Sequence, residues 1–288
     1  MVGLQLPSFT WPGGAPDIRL RLADIARQAD ELGFHSLWVM DHLFQLPPET
    51  GWNGPDQPML EAYSTLGYLA GATSRVRLGA LVTCVVYRPP GLLAKQVTAL
   101  DVLSGGRAYA SLGAGWYEAE ARGLGLPFPS RRERFERVEE AAIIIRNMLG
   151  GAAGTFEGQH YRLEMMLNNP APLHRVPLMI GGSGERTTLR LVARLADACN
   201  ILVPEPGESR RKLQVLRRHC EDVGRDYGEI ETTSLLEIDM RRGAPAVLES
   251  LQEQHREGIE HVIVNLPNAH EPATLERLAK EVVAPLRD

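Results

Sequence analysis

Four short stretches carry residue types that can do chemistry: Asp41-His42, Thr83-Cys84, Gly113 to Glu118, and Gly181 to Gly184. An imidazole titrates near neutral pH, so His42 is suited to moving a proton, with the Asp41 carboxylate beside it. Gly181-Gly182-Ser183-Gly184 suits a phosphate, because a glycine turn entering a helix presents free backbone N–H groups and the positive end of the helix dipole. Arg186 or Thr187 can add a side-chain contact there. No G-K-[ST] follows, and the spacing does not fit G-x-G-x-x-G, so the expected ligand carries a phosphate but is not held by a dinucleotide fold. In Gly113-Ala114-Gly115-Trp116, two glycines in three residues let a flat ligand approach the backbone. Each stretch alone has a plain alternative: Asp41 as a cap, His42 as a satisfied polar side chain, GAG as a tight turn, GGSG as a helix entry. Their common placement is what gives them weight.

That placement follows from the elements around them. Val76 to Glu118 reads as one complete βαβ unit. Val76 to Val86 is a near-continuous apolar run, as a parallel strand covered on both faces requires, and Pro89-Pro90 opens a helix with Leu93, Val97, Leu100 and Leu103 on one face. Gly105-Gly106 ends that helix, and Arg107 to Leu112 is the next strand, running out into Gly113. The same alternation holds along the chain, with strands over Val2 to Leu6, Ser36 to Met40, Pro177 to Ile180, Cys199 to Val203, Thr232 to Met240 and His261 to Leu266. Helical periodicity separates them: Asp17 to Leu32, Leu60 to Ala72, the segment from Ser130 to Leu149, and the stretches after Gly184, Val203, Met240 and Leu266. Ser130 and Glu133 form an S-x-x-E capping box. Thr155 to Leu163 reads as a small hairpin within an insertion around residues 151–176. Eight strands alternating with eight helices predict a parallel (β/α)₈ TIM barrel, expected as one domain over residues 1–288. In such a barrel the site lies at the C-terminal ends of the strands, where all four stretches fall.

Composition excludes several classes. A net charge of −5 argues against nucleic acid as a partner. The 28 arginines against three lysines alternate with acids, as in SRRERFERVEE, and make no basic surface. Cys84, Cys199 and Cys220 are too few and too scattered for a disulfide framework or a CxxC metal site, which predicts a reducing cytoplasm. No apolar run is long enough to span a membrane, and the N-terminus lacks the charged region of a signal peptide. The eight histidines show no His-x-His spacing for a metal hydrolase. Lys95, Lys212 and Lys280 all fall on expected helices, away from where a Schiff-base lysine would sit.

The segments SLWVMDHLFQ, LGALVTCVVYRPPGLLAKQVTALDVLSGGRA, LGAGWYEAEARGLGLPFPSRRERFERVEEA, TFEGQHYRL and PLMIGGSGERTTLRLVARLADACN resemble, in that order, the luciferase-like monooxygenase superfamily, and more narrowly its deazaflavin-dependent branch. The resemblance implies a TIM barrel with a flavin-like ring across its mouth and the phosphate held by the backbone at Gly181, Gly182, Ser183 and Gly184. It places Asp41 and His42 at the family's Asp-His pair beside the reactive carbon, with His42 as the polar catalytic candidate. It makes Thr83 a ring-contacting threonine, Ala80-Leu81 the bulge with a non-prolyl cis peptide behind the ring, and Ala114, Gly115 and Trp116 part of the cofactor wall. Two positions depart from the sugar-phosphate dehydrogenases of that branch: Trp116 stands where they carry a glutamate proton donor, and Leu46 where they carry a tryptophan. A sugar phosphate is therefore not the expected substrate.

The resulting expectation is a coenzyme F420-dependent oxidoreductase moving a hydride to or from a small organic molecule, assembled as a homodimer as the resemblance implies. An FMN-dependent monooxygenase is the alternative within the class, and a non-catalytic flavin-binding protein on the same fold the alternative outside it.

Overall fold

The computed structural model describes residues 1–202, 207–266 and 268–286. In chain order the elements are β1 (Val2–Leu6), α1 (Ala15–Glu31), β2 (Ser36–Val39), α2 (Ala62–Ala72), β3 (Arg77–Ala80), α3 (Pro90–Ser104), β4 (Ala110–Leu112), α4 (Glu118–Gly123) and α5 (Arg131–Leu149). They continue as β5 (Phe156–Glu157), β6 (Arg162–Leu163), β7 (Leu178–Gly181), α6 (Thr188–Leu195), β8 (Ala198–Leu202), α7 (Glu208–Val223), β9 (Glu231–Glu237), α8 (Ala244–Arg256), β10 (His261–Asn265) and α9 (Pro272–Leu278). Eight strands form one sheet in the order β3-β2-β1-β10-β9-β8-β7-β4, and every ladder in it is parallel. Parallel bridges Leu78–Ala108 and Cys84–Gly113 join the two ends, so the sheet closes as the predicted (β/α)₈ barrel.

Period-two alternation sorts the strand side chains into two layers. Leu4, Leu37, Leu78, Leu112, Ile180 and Val264 point outward beneath the helices and are essentially fully buried, each contributing about 1.5–3 kcal/mol. Trp38, Tyr109, Met179, Ala198 and Ile263 point inward and fill the barrel. The indole of Trp38 needs room. A Cβ on Gly79 would lie 2.5 Å from its ring, and one on Gly3 would lie 2.3 Å from Ser36 Oγ, so both inward positions are glycine.

Below this layer a polar network closes the N-terminal end. Trp38 Nε1 donates to Ser36 Oγ at 2.6 Å, Ser36 Oγ meets His261 Nε2 at 2.9 Å, and Glu231 takes His261 Nδ1 at 2.8 Å and the Tyr109 hydroxyl at 2.7 Å. His35 packs edge-on against His261 at 4.9 Å. Burial, with His261 beside it, pushes His35 down to about 4. Burial raises the Glu231 carboxyl, but hydrogen bonds from His261 and Tyr109 outweigh it and hold the group below its ordinary range.

Boundaries depart from expectation where side chains take over backbone duties. β3 stops at Ala80 instead of running to Val86, and the non-prolyl cis peptide is Leu81–Val82, one bond beyond the expected Ala80–Leu81. β4 starts at Ala110 because the buried Arg107 guanidinium is turned onto the carbonyls of Ala70, Thr73 and Val76. The expected end of the sixth barrel strand at Val203 lies outside the described residues. At the start of α5, Ser130 Oγ accepts the Glu133 N–H at 3.3 Å, but the return half of the capping box is not made, because Arg137 takes the Glu133 carboxylate. The excursion at 151–176 contains the expected hairpin, with Phe156 opposite Leu163. Among the described residues, no helix is long and apolar enough to cross a membrane.

Candidate functional site

A cavity of about 680 Å³ opens at the C-terminal rim of the barrel. Most of the expected site residues line it: Asp41, His42, Leu81, the Ala114-Gly115-Trp116 stretch and the whole Gly181 to Gly184 turn. Ala80 and Thr83 do not. Both are fully buried, and Thr83 Oγ1 lies 2.8 Å from the Tyr63 hydroxyl and 3.2 Å from Ser111 Oγ. The bulge at Leu81–Val82 shifts alternation by one residue, so Leu81 and Val82 face the cavity where a continuous strand would have presented Thr83.

His42 sits at the end of β2 with its side chain mostly buried, and its Nδ1 lies 2.6 Å from Glu120 Oε1. The Glu120 side chain, on the short helix α4, has no solvent exposure. It accepts four donors: His42 Nδ1, the Tyr87 hydroxyl, and the N–H groups of Leu43 at 2.7 Å and Phe44 at 3.2 Å. Burial alone would raise this carboxyl, but those hydrogen bonds and the His42 charge outweigh it and hold Glu120 below the ordinary range. Burial, Cys84 and Glu120 in turn push the Tyr87 phenol well up, so it stays a donor. Because Nδ1 donates to a carboxylate, the network assigns the neutral His42 ring its proton on Nδ1 and leaves Nε2 as an acceptor. Trp116 stands edge-on to the imidazole at 5.6 Å and is half exposed over the mouth.

Asp41 has a different place. Its side chain is fully buried, gripped by Arg88 through Nη1–Oδ2 at 2.7 Å and Nη2–Oδ1 at 2.8 Å, with the Cys84 N–H on Oδ2 at 2.9 Å. Arg88 continues to Glu61 Oε1 at 2.5 Å, and Glu61 caps α2 by accepting the N–H groups of Tyr63 and Ser64. This chain ties the β2 end, the loop after β3 and the start of α2 into one unit.

The glycines at the rim do not all open the backbone to a ligand, contrary to the sequence reading of Gly113 and Gly115. A Cβ on Gly113 would meet Val82 at 2.6 Å, one on Gly181 would meet it at 2.8 Å, and one on Gly115 would meet Cys84 Sγ within van der Waals range. These positions admit Val82 and Cys84. Gly182 has φ +124°, a conformation that disfavours any side chain. Its N–H is taken by Asn200 O at 2.9 Å, and Ser183 Oγ is held by Leu202 on both its N–H and its carbonyl. Among the described residues, the N–H groups of Ser183 and Gly184 have no partner, so the turn's anion-binding capacity sits one residue further along than Gly182.

Four polar residues on inward strand positions reach the cavity without having been read from the sequence: Gln5, Asn200, Glu237 and Asn265. Asn265 is buried, and its Oδ1 has no hydrogen-bond partner among the described residues. Their signal was a polar residue interrupting an otherwise apolar strand, as in VGLQL, ACNIL and HVIVN. Glu120, Tyr87 and Arg88 gave no comparable signal.

The chain matches the family model described as luciferase-like monooxygenase over residues 3–282. It is 30% identical over 265 residues to an F420-dependent glucose-6-phosphate dehydrogenase of Kineococcus radiotolerans, covering 91% of this chain and 76% of that protein. Among solved structures it is similar to an F420-dependent secondary alcohol dehydrogenase in complex with an F420-acetone adduct, with TM-score 0.82, 18% identity, and 99% and 98% of the two chains covered. A riboflavin lyase with modified FMN is similar at TM-score 0.83 and 12% identity, covering 99% and 91% of the two chains. At those identities the structural likeness speaks to the fold alone.

Proposed function

The chain belongs to the luciferase-like monooxygenase family, and from that premise we propose that it is a coenzyme F420-dependent oxidoreductase acting on a small organic substrate. The observation that carries the reading is the buried Glu120 carboxylate holding His42 in the wall of the rim cavity. The name of the Kineococcus relative supports F420 as the cofactor. The cavity fits such a group at two points. The unpartnered Asn265 Oδ1 suits a ring N–H, and the N–H groups of Ser183 and Gly184, near the start of α6, suit a phosphate.

When bound, the deazaflavin supplies a carbon that gives or takes a hydride. The chain's own residues do the rest. His42 Nε2 takes the proton of a substrate hydroxyl as the neighbouring carbon is oxidised, and returns it in the reverse direction. Glu120 and Tyr87 fix the ring and stabilise its protonated form. Asp41, locked on Arg88, positions the backbone that carries His42 and the Leu81–Val82 wall without offering a free carboxylate. Leu46, Trp52 and Trp116 give the substrate side an apolar, aromatic character. Glucose 6-phosphate, named for the relative, is not carried over, because Leu46 and Trp116 supply neither a proton donor nor an anion contact. An apolar or aromatic alcohol, or the matching ketone, fits this wall.

We further read the chain as a single domain working as a cytoplasmic homodimer. Leu92 and Leu103 on the outward face of α3, with Met165, Leu167 and Leu173 in the excursion beside it, are at least half exposed and support a subunit contact there. The functional test is a panel of secondary alcohols and ketones with F420, run beside oxygen uptake with reduced FMN. Turnover with F420 and no FMN-dependent oxygen uptake is expected. Oxygen uptake with FMN alone would replace the reading with a monooxygenase.

A further inference from the structure

Beside the rim cavity, between the first half of α5 and the outer face of α6, lies a second cleft of about 610 Å³. Five arginines line it: Arg131, Arg132, Arg186, Arg190 and Arg194. Two carboxylates, Glu136 and Glu139, face them, which leaves a net +3 in one cleft of a chain whose net charge is −5. The two carboxylates are already engaged, Glu136 by Arg132 and His160 and Glu139 by Arg194. Arg131, Arg186 and Arg190 have no carboxylate partner among the described residues. Elsewhere on α5 the arginines pair with acids four residues away, as Arg137 does with Glu133. The cleft is where that pairing runs out.

The spacing points the same way. Arg186, Arg190 and Arg194 recur every fourth residue and so share one face of α6 and its entry turn, spanning about 12 Å along the axis. Like charges at that spacing destabilise a helix, and nothing in the fold requires them here. The cleft is also continuous with the site. Arg131 and Phe135 line both the cleft and the rim cavity, and the cleft begins at Arg186 and Thr187, directly after the Gly181 to Gly184 turn.

We infer that this arginine cleft binds a chain of carboxylates extending outward from the phosphate turn, namely the oligoglutamate tail of coenzyme F420. The inference rests on the cofactor proposed above. Each arginine presents a planar fork of donors matched to a carboxylate, and a flexible anionic tail can meet several of them in turn. FMN ends at its phosphate and has nothing to place there, so the cleft also gives the chain a means of preferring the tailed cofactor.

The test compares F420 bearing several glutamates with its tail-free form, which retains the phosphate, by equilibrium titration of the full chain. Variants Arg190→Ser and Arg190→Glu serve the comparison, since Arg190 is exposed and outside the rim cavity. At low salt the tailed form should bind the wild type about tenfold more tightly, and this advantage should shrink as salt screens the exposed charges. Arg190→Ser should cut the advantage by roughly threefold and Arg190→Glu should abolish it, while the tail-free form keeps its affinity to within about twofold. Equal binding of the two forms by the wild type would overturn the cleft while leaving the cofactor reading intact. Discrimination unchanged in both variants would overturn it as well, and so would an effect confined to substrate KM, which would assign the arginines to an anionic substrate. Failure of either form to bind would overturn both proposals.

Discussion

Replacing Glu120 with glutamine changes one atom in a fully buried group and exposes the role of four hydrogen bonds at once. Oε1 accepts from His42 Nδ1 and Tyr87, and Oε2 from the N–H groups of Leu43 and Phe44. Backbone N–H groups cannot turn away, so the amide oxygen must face Leu43 and Phe44, and the new NH₂ must face His42 and Tyr87. Tyr87 can rotate its hydroxyl to accept. His42 can accept only by giving up the Nδ1 proton, which moves to Nε2 and turns the cavity-facing nitrogen from acceptor to donor. Four charge-assisted bonds become neutral ones at a loss of about 0.5–1 kcal/mol each, so the fold should lose about 2–4 kcal/mol. Loss of a positioned base should lower kcat by about 10²-fold or more. The tautomer is read from ¹⁵N chemical shifts of the His42 ring, stability from denaturant unfolding, and kcat from a substrate found in the alcohol and ketone panel. An Nδ1-protonated His42 in the variant, with kcat within about twofold of wild type, would refute the reasoning.

Other outcomes follow from the same geometry. His42→Ala should keep the folded state, since the ring packs at the rim and not in the barrel core, while kcat falls by about 10²-fold or more; retained kcat would remove His42 from the mechanism. Gly182→Val forces a β-branched residue to φ +124° and brings a Cβ to 3.4 Å from Thr188, so cofactor affinity should drop about tenfold with a smaller change in the Tm of the cofactor-free protein. Unaltered affinity in a folded Gly182→Val protein would place the phosphate elsewhere. Folding stability should depend on pH through His35: its pKa is depressed in the folded state, from 6.5 to about 4, so the unfolded chain binds the proton more readily. That stabilisation is complete above pH 6.5 and is lost as pH falls toward 4, by about 3 kcal/mol at most. His35→Gln should flatten this window in denaturant midpoints measured across it, and an unchanged slope would show that another group governs it.

The barrel was legible because its signals are local. Apolar runs of strand length alternate with helical periodicity, and each is punctuated by glycine or proline. The rim placement of His42 and of the Gly181 to Gly184 turn followed from the fold. Glu120 did not, because its helix is six residues long, has no apolar periodicity to reveal it, and finds its histidine 78 positions away. Thr83 and Ala80 were misplaced for a related reason. A single bulge at Leu81–Val82, invisible in a continuous apolar run, exchanges which side chains face the mouth. Gly113 and Gly115 looked like openings for a ligand, and only the neighbouring Val82 and Cys84 show what occupies the space. Asp41 was correctly placed at the rim, yet its bidentate pair with Arg88, 47 positions on, makes it a positioning group where the sequence suggested chemistry.

Side-by-side equilibrium titration of the cofactor-free protein with coenzyme F420 and with FMN tests the central claim most directly. F420 is expected to bind at least about tenfold more tightly, a difference of about 1.4 kcal/mol or more. Equal or tighter binding of FMN would contradict the assignment of this cavity to a deazaflavin.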